Sequence, residues 1–197
     1  TAASYWYALM ALAPETTAHV QLMGLMDGSI QGDSVVKYLF SLLGIKTHFA
    51  STEHGLPTTI TLHRQPCPLH RLDYNFTGAP DLAQTFVVCC ALMDVKFHFK
   101  GLQTLTMKEC NRIEALQTEM RKLGYVIETA NNDELFWEGE RCAPSTEPIE
   151  TYADHRMALA FAPAAFRIKG LRINHPEVVS KSYPHYWDDL QKAGFHL

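Results

Sequence analysis

The chain has 197 residues, 47% of them hydrophobic and 19% charged, with a formal net charge of −4 at neutral pH. That is enough apolar material for one sizeable core and too little charge for a disordered chain. The slight negative balance speaks against nucleic acid or an anionic membrane as a bulk partner, so any bound anion must be held by a few placed cations.

In chain order, Ser4 to Ala13 reads as a buried helix, with Ser4 as its N-cap and Pro14 as its end. The chain thus opens inside an element, with no initiator Met and no basic, cleavable leader, and is expected to be cut from something longer. Ala18 to Leu22 is a short strand. Gly32-Asp33 opens a helix with apolar residues at Val35, Val36, Leu39, Leu42 and Leu43, stopped at Gly44. Strands at Thr47–Ser51 and Thr58–His63 flank a turn at Glu53-His54-Gly55, and Leu72–Phe76 follows a proline loop. A second round begins at Pro80-Asp81. It has a helix to about Met93, a strand at Val95–Phe99 and a helix from Lys108 to Leu123. A hairpin of Tyr125–Thr129 and Glu134–Trp137 then turns about Asn131-Asn132-Asp133. Pro148–Tyr152 leads into a third round with a helix from Asp154 to about Phe166, a strand at Leu171–Asn174 and a helix over Val179–Ala193.

The order of elements therefore recurs roughly every 75 residues, a longer period than in solenoids but the same kind of self-similarity. The third round lacks its hairpin. No linker or low-complexity stretch separates the rounds, so residues 1–197 read as one domain.

Five cysteines (Cys67, Cys89, Cys90, Cys110 and Cys142) form no metal knuckle, and the pair Cys89-Cys90 lies in an apolar run where free thiols are commonly buried. This usage fits a reducing cytoplasm better than secretion. The ten histidines include neither an HExxH nor an HxH pair, so no metal site is expected. No apolar stretch approaches the ~20 residues that span a bilayer.

Polar residues worth singling out stand at helix beginnings: Asp81; Lys108, Glu109 and Arg112; Asp154, His155 and Arg156; and Lys181 near the last helix. If the rounds are equivalent, these starts face one region. Helix N-termini present free N–H groups and partial positive charge, which suit carboxylates or phosphates. Lysine and arginine are unfavourable there unless an anion arrives. Lys108 and Arg112 at i and i+4 would share one face. The bland readings are a solvated face for Lys108 and Arg112, a first-turn acid for Asp81 and a helix cap for Asp154. His155 could titrate near neutrality, although a lone histidine is more often structural.

The strings Ser4-Tyr5 before an Ala-rich helix, Gln31-Gly32-Asp33, Pro80-Asp81, Lys108-Glu109-x-x-Arg112, Asp154-His155-Arg156-Met157-Ala158 and Lys181-Ser182-Tyr183-Pro184 come in one order. Together they resemble the C-terminal domain of the 5-enolpyruvylshikimate-3-phosphate synthase family over nearly the whole chain. The resemblance implies an α+β fold with alternating elements, built as a three-fold βαβαββ repeat whose third unit is incomplete. In the family the first residues of the whole protein complete that unit, and an N-terminal domain, absent here, carries most of the shikimate 3-phosphate site.

The implied activity moves the enolpyruvyl group of phosphoenolpyruvate to the 5-hydroxyl of shikimate 3-phosphate and releases phosphate, without metal or organic cofactor. That places the protein in chorismate and aromatic amino acid biosynthesis, with glyphosate as an expected competitor. By the same resemblance, Asp81 is the base candidate near the hydroxyl and Glu109 the proton donor and acceptor near the methylene carbon. Lys108 contacts shikimate 3-phosphate. Arg112 and Arg156 clamp the phosphoenolpyruvate carboxylate, and His155 and Lys181 are polar neighbours of it. Cys110-Asn111 stands where the family usually has Ser/Thr-Asp, and Thr104 and Thr106 where it often has Asn and Arg. Two alternatives share the fold: a transferase acting on UDP-N-acetylglucosamine, whose hallmark is a loop cysteine and whose pattern is not Asp-His-Arg-Met, and a non-catalytic anion-binding or scaffold module. The piece alone is expected to lack turnover.

Overall fold

A computed structural model of the chain describes residues 1–14, 19–25, 35–50 and 57–196. Among the described residues, six α-helices and seven strands run in the order α1 (Ala2–Leu12), β1 (His19–Leu25), α2 (Val36–Leu42), β2 (Ile45–Phe49), β3 (Thr58–Arg64), β4 (Arg71–Asn75), α3 (Ala83–Leu92), β5 (Lys96–Lys100), α4 (Arg112–Lys122), β6 (Glu128–Ala130), β7 (Glu134–Trp137), α5 (His155–Phe161) and α6 (Tyr186–Lys192). Short 3-10 turns occupy Pro80–Leu82, Gln103–Met107, Ala162–Phe166 and Pro176–Lys181.

The second round is a complete βαβαββ unit. Its sheet has the order β4-β5-β7-β6, with β4 parallel to β5 and the other pairs antiparallel. The first round forms the sheet β1-β3-β2, the same order without a leading parallel strand among the described residues. The third round keeps one parallel bridge, Ile149 to Ile173, and no hairpin among the described residues. The α+β architecture and the incomplete third unit are therefore as the sequence led us to expect.

Three helices are almost wholly buried and form the centre. In α1 all residues from Ser4 to Leu12 are buried, in α3 all ten, and in α5 all but Arg156. A helix with so little polar face has to be surrounded by other elements. The sheets supply part of that cover. In β5, Phe97 and Phe99 are buried while Lys96 and Lys100 face solvent, the two-residue alternation of a one-sided strand. One core runs through all three rounds, from Tyr7 and Phe40 through Phe86 and Phe97 to Met157 and Phe161. By contrast α4 is amphipathic and buries Arg112, Ile113, Ala115, Leu116, Glu119 and Met120, a helical stripe. No helix among the described residues is long and apolar enough to cross a membrane.

Several boundaries differ from expectation for identifiable reasons. Thr1, not Ser4, precedes α1, and Ser4 is buried with its hydroxyl unpartnered. The helix expected from Lys108 begins at Arg112, because the Asn111 side chain accepts the Glu114 N–H at 3.4 Å and caps it there. Lys108 and Arg112 consequently do not share a helix face. The last helix is split into Pro176–Lys181 and α6, since Pro184 disfavours helical backbone at Tyr183. The strand at Leu171–Asn174 shrinks to the bridge at Ile173. Ala18, the helix opening at Gly32-Asp33 with its Gln31, and the turn at Glu53-His54-Gly55 lie outside the described residues.

Candidate active site

The helix beginnings do meet, and they meet around one guanidinium. Arg112, the first residue of α4, is only 1% exposed. Its Nε and Nη2 grip the two carboxylate oxygens of Asp154 at 2.6 and 3.1 Å. Its Nη1 donates to Asp81 Oδ1 at 2.9 Å and its Nη2 to Glu109 Oε2 at 2.8 Å. Asp154 is fully buried, caps α5 by accepting the Arg156 N–H at 2.9 Å, and accepts the Cys110 thiol at 3.6 Å. A buried charge requires such pairing, because its desolvation cost is not otherwise recovered.

Around this buried pair lies a more open rim. Arg156 Nη2 stands 2.9 Å from Asp81 Oδ2, and its Nη1 donates to the Tyr5 hydroxyl at 3.3 Å. Lys108 Nζ is 3.5 Å from Asp81 Oδ1. Lys181 Nζ donates to Glu109 Oε1. His155 is buried, with Nδ1 3.8 Å from Asp154 Oδ1 and 4.0 Å from Glu109 Oε1, and that nitrogen has no hydrogen-bond partner. Four cations thus face three carboxylates, and exposure rises from Arg112 through Arg156 at 17% and Lys108 at 32% to Lys181 at 59%. The cluster is net positive at the surface of a net negative chain, which favours an arriving anion.

The electrostatics divide the titratable groups. Lys181 bonded to Glu109, helped by Arg112, holds the Glu109 carboxyl down to about 2 despite partial burial. Burial pushes the Cys110 thiol up to about 12, and the charge of Asp154 adds to this, so Cys110 is a neutral hydrogen-bond donor. Burial lowers the His155 pKa, with the Asp154 charge opposing it, so the imidazole is neutral at pH 7. For Arg112, burial works against the charge but the Asp154, Asp81 and Glu109 carboxylates outweigh it.

All eight polar residues singled out at helix beginnings (Asp81, Lys108, Glu109, Arg112, Asp154, His155, Arg156 and Lys181) fall in this one cluster. Two members of the cluster had been given no substrate or catalytic role. Asp154 had been read only as a cap; it is that, and also the buried anchor of Arg112. Tyr5 appeared only as part of a local string, although it sits in α1 against Arg156. The departures have local uses: Cys110 donates where a hydroxyl would, Asn111 caps α4, and Thr106 Oγ1 bonds the Gln103 carbonyl at 2.8 Å. No grouping of His, Cys, Asp and Glu suited to a metal occurs among the described residues.

A family model described as EPSP synthase (3-phosphoshikimate 1-carboxyvinyltransferase) matches residues 1–190. The chain is 53% identical over 198 residues to a 3-phosphoshikimate 1-carboxyvinyltransferase of Bacteroides fragilis (strain ATCC 25285), covering 100% of this chain and 46% of that protein. It is 30% identical over 199 residues to 3-phosphoshikimate 1-carboxyvinyltransferase 2 of Nicotiana tabacum, covering 100% of the chain and 56% of that protein. The chain thus spans about half the length of the curated relatives it matches. The solved EPSP synthase from Acinetobacter baumannii superposes with a TM-score of 0.74 at 20% identity, over 98% of this chain and 45% of that one, a likeness of fold. With its family model matched nearly end to end, the chain belongs to the EPSP synthase (3-phosphoshikimate 1-carboxyvinyltransferase) family.

Proposed function

We propose that residues 1–197 form one domain that supplies the phosphoenolpyruvate-facing half of an enolpyruvyl transferase site, the other half coming from a separate N-terminal domain. The single observation that carries this reading is the cluster of four cations and three carboxylates around Arg112, which joins the starts of α4 and α5 to the 3-10 turn before α3. Phosphoenolpyruvate brings a carboxylate and a phosphate. Arg156 and Lys181, at the rim, meet them first. Asp81 bridges Arg112, Lys108 and Arg156, and Glu109 bridges Arg112 and Lys181, so substrate anions take over contacts that these two carboxylates now make. That exchange frees both carboxylates at the moment the substrate is seated.

In the transfer, the 5-hydroxyl oxygen of shikimate 3-phosphate adds to C2 of phosphoenolpyruvate. The hydroxyl proton passes to Asp81, and C3 gains a proton to become a methyl group. Loss of phosphate and of a C3 proton then regenerates the double bond. Glu109 serves the C3 proton in both directions. Held at about 2 by Lys181, it is ionised as it stands and ready to accept. Once Lys181 has turned to the substrate phosphate, Glu109 takes up a proton from solvent, gives it to C3 in the addition and takes it back in the elimination, while the proton on Asp81 leaves with the released phosphate. Arg112 and Arg156 stabilise the charge by fixed hydrogen bonds. No metal or organic cofactor enters these steps. Five free thiols are consistent with a cytoplasmic setting.

The test is a chimera in which this chain replaces the segment it matches in the Bacteroides fragilis relative. Phosphate release that depends on both phosphoenolpyruvate and shikimate 3-phosphate, competed by glyphosate, is expected from the chimera and not from the chain alone. A folded chimera that binds neither substrate overturns the reading; turnover by the isolated chain overturns the division into two halves.

A further inference from the structure

Tyr152 and Ala153 both adopt the left-handed backbone, with φ of 54° and 53°. They are the central pair of a tight turn closed by the Asp154 N–H donating to the Thr151 carbonyl at 2.8 Å. Two successive positive φ values suit Asn-Gly; tyrosine and alanine hold them only under outside constraint. The next residue is Asp154, the buried anchor of Arg112 and the cap of α5. A turn free to relax would therefore carry the anchor with it.

The constraint comes from α4 itself. Two turns beyond Arg112 stands Glu119, a carboxylate with no solvent exposure. Its Oε1 accepts the Tyr152 hydroxyl at 2.7 Å, and its Oε2 accepts the Glu150 N–H at 3.0 Å. Lys122 Nζ lies 2.8 Å from the same Oε2 and also donates to the Pro148 carbonyl at 3.0 Å. One end of α4 thus grips the segment from Pro148 to Tyr152, while the other end grips Asp154. An apolar residue would fill the position of Glu119 without the cost of burying a charge, so core packing alone does not account for a carboxylate there.

We propose that Glu119 and Tyr152 are positioning residues: together they lock the Thr151–Asp154 turn onto α4 and so fix Asp154, and through it Arg112, for anion recognition. The geometry stands without any assignment of activity; only the identity of the anion, phosphoenolpyruvate, rests on the enolpyruvyl transferase reading. A guanidinium has no preferred direction of its own at the end of four rotatable bonds. Its aim is set by its partners, and an error of about 1 Å in such an aim can cost up to ~100-fold in rate.

Tyr152→Phe removes one hydroxyl and leaves an aromatic ring at the same place in the turn. In the full chain, the Arg112 Nε–H resonance is expected to be sharp and slowly exchanging in the wild type. In the variant it is expected to broaden and exchange about ten-fold faster. In the chimera, calorimetry is expected to show phosphoenolpyruvate binding weakened about ten-fold, with shikimate 3-phosphate affinity changed less than about two-fold. Adding Ala153→Gly lets the turn keep its shape without the brace, and is expected to restore both readouts in Tyr152→Phe/Ala153→Gly. Glu119→Gln, which still accepts from Tyr152, is expected to fall between the wild type and Tyr152→Phe.

An unchanged Arg112 resonance in Tyr152→Phe overturns the proposal, even if the melting temperature falls. So does a shifted resonance with unaltered phosphoenolpyruvate affinity, or failure of Ala153→Gly to rescue. A wild-type chimera that binds no phosphoenolpyruvate defeats the transferase reading instead, and the Arg112 resonance then still decides whether the brace holds its aim.

Discussion

At the scale of single residues, Arg112 and Arg156 look alike in sequence and differ in what their removal would mean. Arg112 anchors fully buried Asp154, so Arg112→Ala leaves an uncompensated buried carboxylate and disturbs the fold as much as the site. Arg156 stands at the rim on Asp81 and Tyr5 and is the cleaner probe. In the chimera, Arg156→Ala is expected to weaken phosphoenolpyruvate binding about 10–100-fold, the worth of lost charge-assisted hydrogen bonds, and shikimate 3-phosphate binding much less. Calorimetry showing the opposite order would remove Arg156 from the carboxylate clamp. Glu109 makes a prediction in pH. Its folded pKa of about 2 lies below the ordinary 4.5, so it contributes stability above pH 4.5 that is lost as pH falls toward 2. Lys181→Ala removes the largest cause of that depression. The Glu109 carboxyl, followed by NMR titration, is expected to titrate closer to 4.5 in that variant, and the loss of urea stability between pH 4.5 and 2 to become shallower. Seven members of the cluster were legible as site candidates because charged groups at helix starts need a reason. Asp154 and Tyr5 were not: a cap explains an aspartate completely until its second partner is seen, and a tyrosine in an apolar helix carries no mark of where its hydroxyl ends.

At the scale of elements, what could be read depended on whether tertiary contacts or local chemistry set the boundary. The apolar runs of α1, α3 and α5 could be nothing but buried helices, and the Asn131-Asn132 turn, with φ of 54° and 55°, took the backbone that its residues favour. The start of α4 was misplaced because Lys108-Glu109-Cys110 has good helix formers, whereas the deciding feature is one hydrogen bond from Glu114 N–H to Asn111. That shift matters for the site: it puts Arg112 at the helix start and leaves Lys108 on the preceding segment, free to reach Asp81. The start of α5 carries the next prediction. Asp154 caps the helix and pairs with Arg112, and two substitutions separate the roles. Asp154→Asn retains a good cap and loses the charge. Asp154→Ala loses both, and is expected to cost about 3–5 kcal/mol in urea unfolding, well beyond the ~1 kcal/mol of a cap alone. A loss near 1 kcal/mol for Asp154→Ala would mean that the buried pair with Arg112 contributes no net stability.

At the scale of the whole molecule, a three-fold repeat raises the question of whether the rounds are independent. In solenoids each repeat touches only its neighbours, and stability is close to a sum over repeats. Here α1, α3 and α5 come from three different rounds and share one core, while Tyr5, Trp6 and Leu9 on another side of α1 join Ala158, Leu159, Tyr186 and Leu190 in a second cluster. Because α1 and α5 belong to both clusters, neither can come apart without exposing helices that are almost wholly buried. The three tryptophans report on this directly. Trp137 lies in β7 of the four-stranded sheet, Trp6 faces the second cluster, and Trp187 packs on that cluster from α6. Variants that keep one tryptophan each, the others changed to Phe, are expected to unfold in urea as single transitions. After correction for each variant's own stability by far-UV circular dichroism, fluorescence and dichroism midpoints are expected to coincide in all three. A Trp187 signal lost well before the dichroism would mean that α6 detaches on its own. Lys181, which precedes that helix, would then move with a separate unit, and its contact with Glu109 would be governed by that local opening rather than by the fold as a whole.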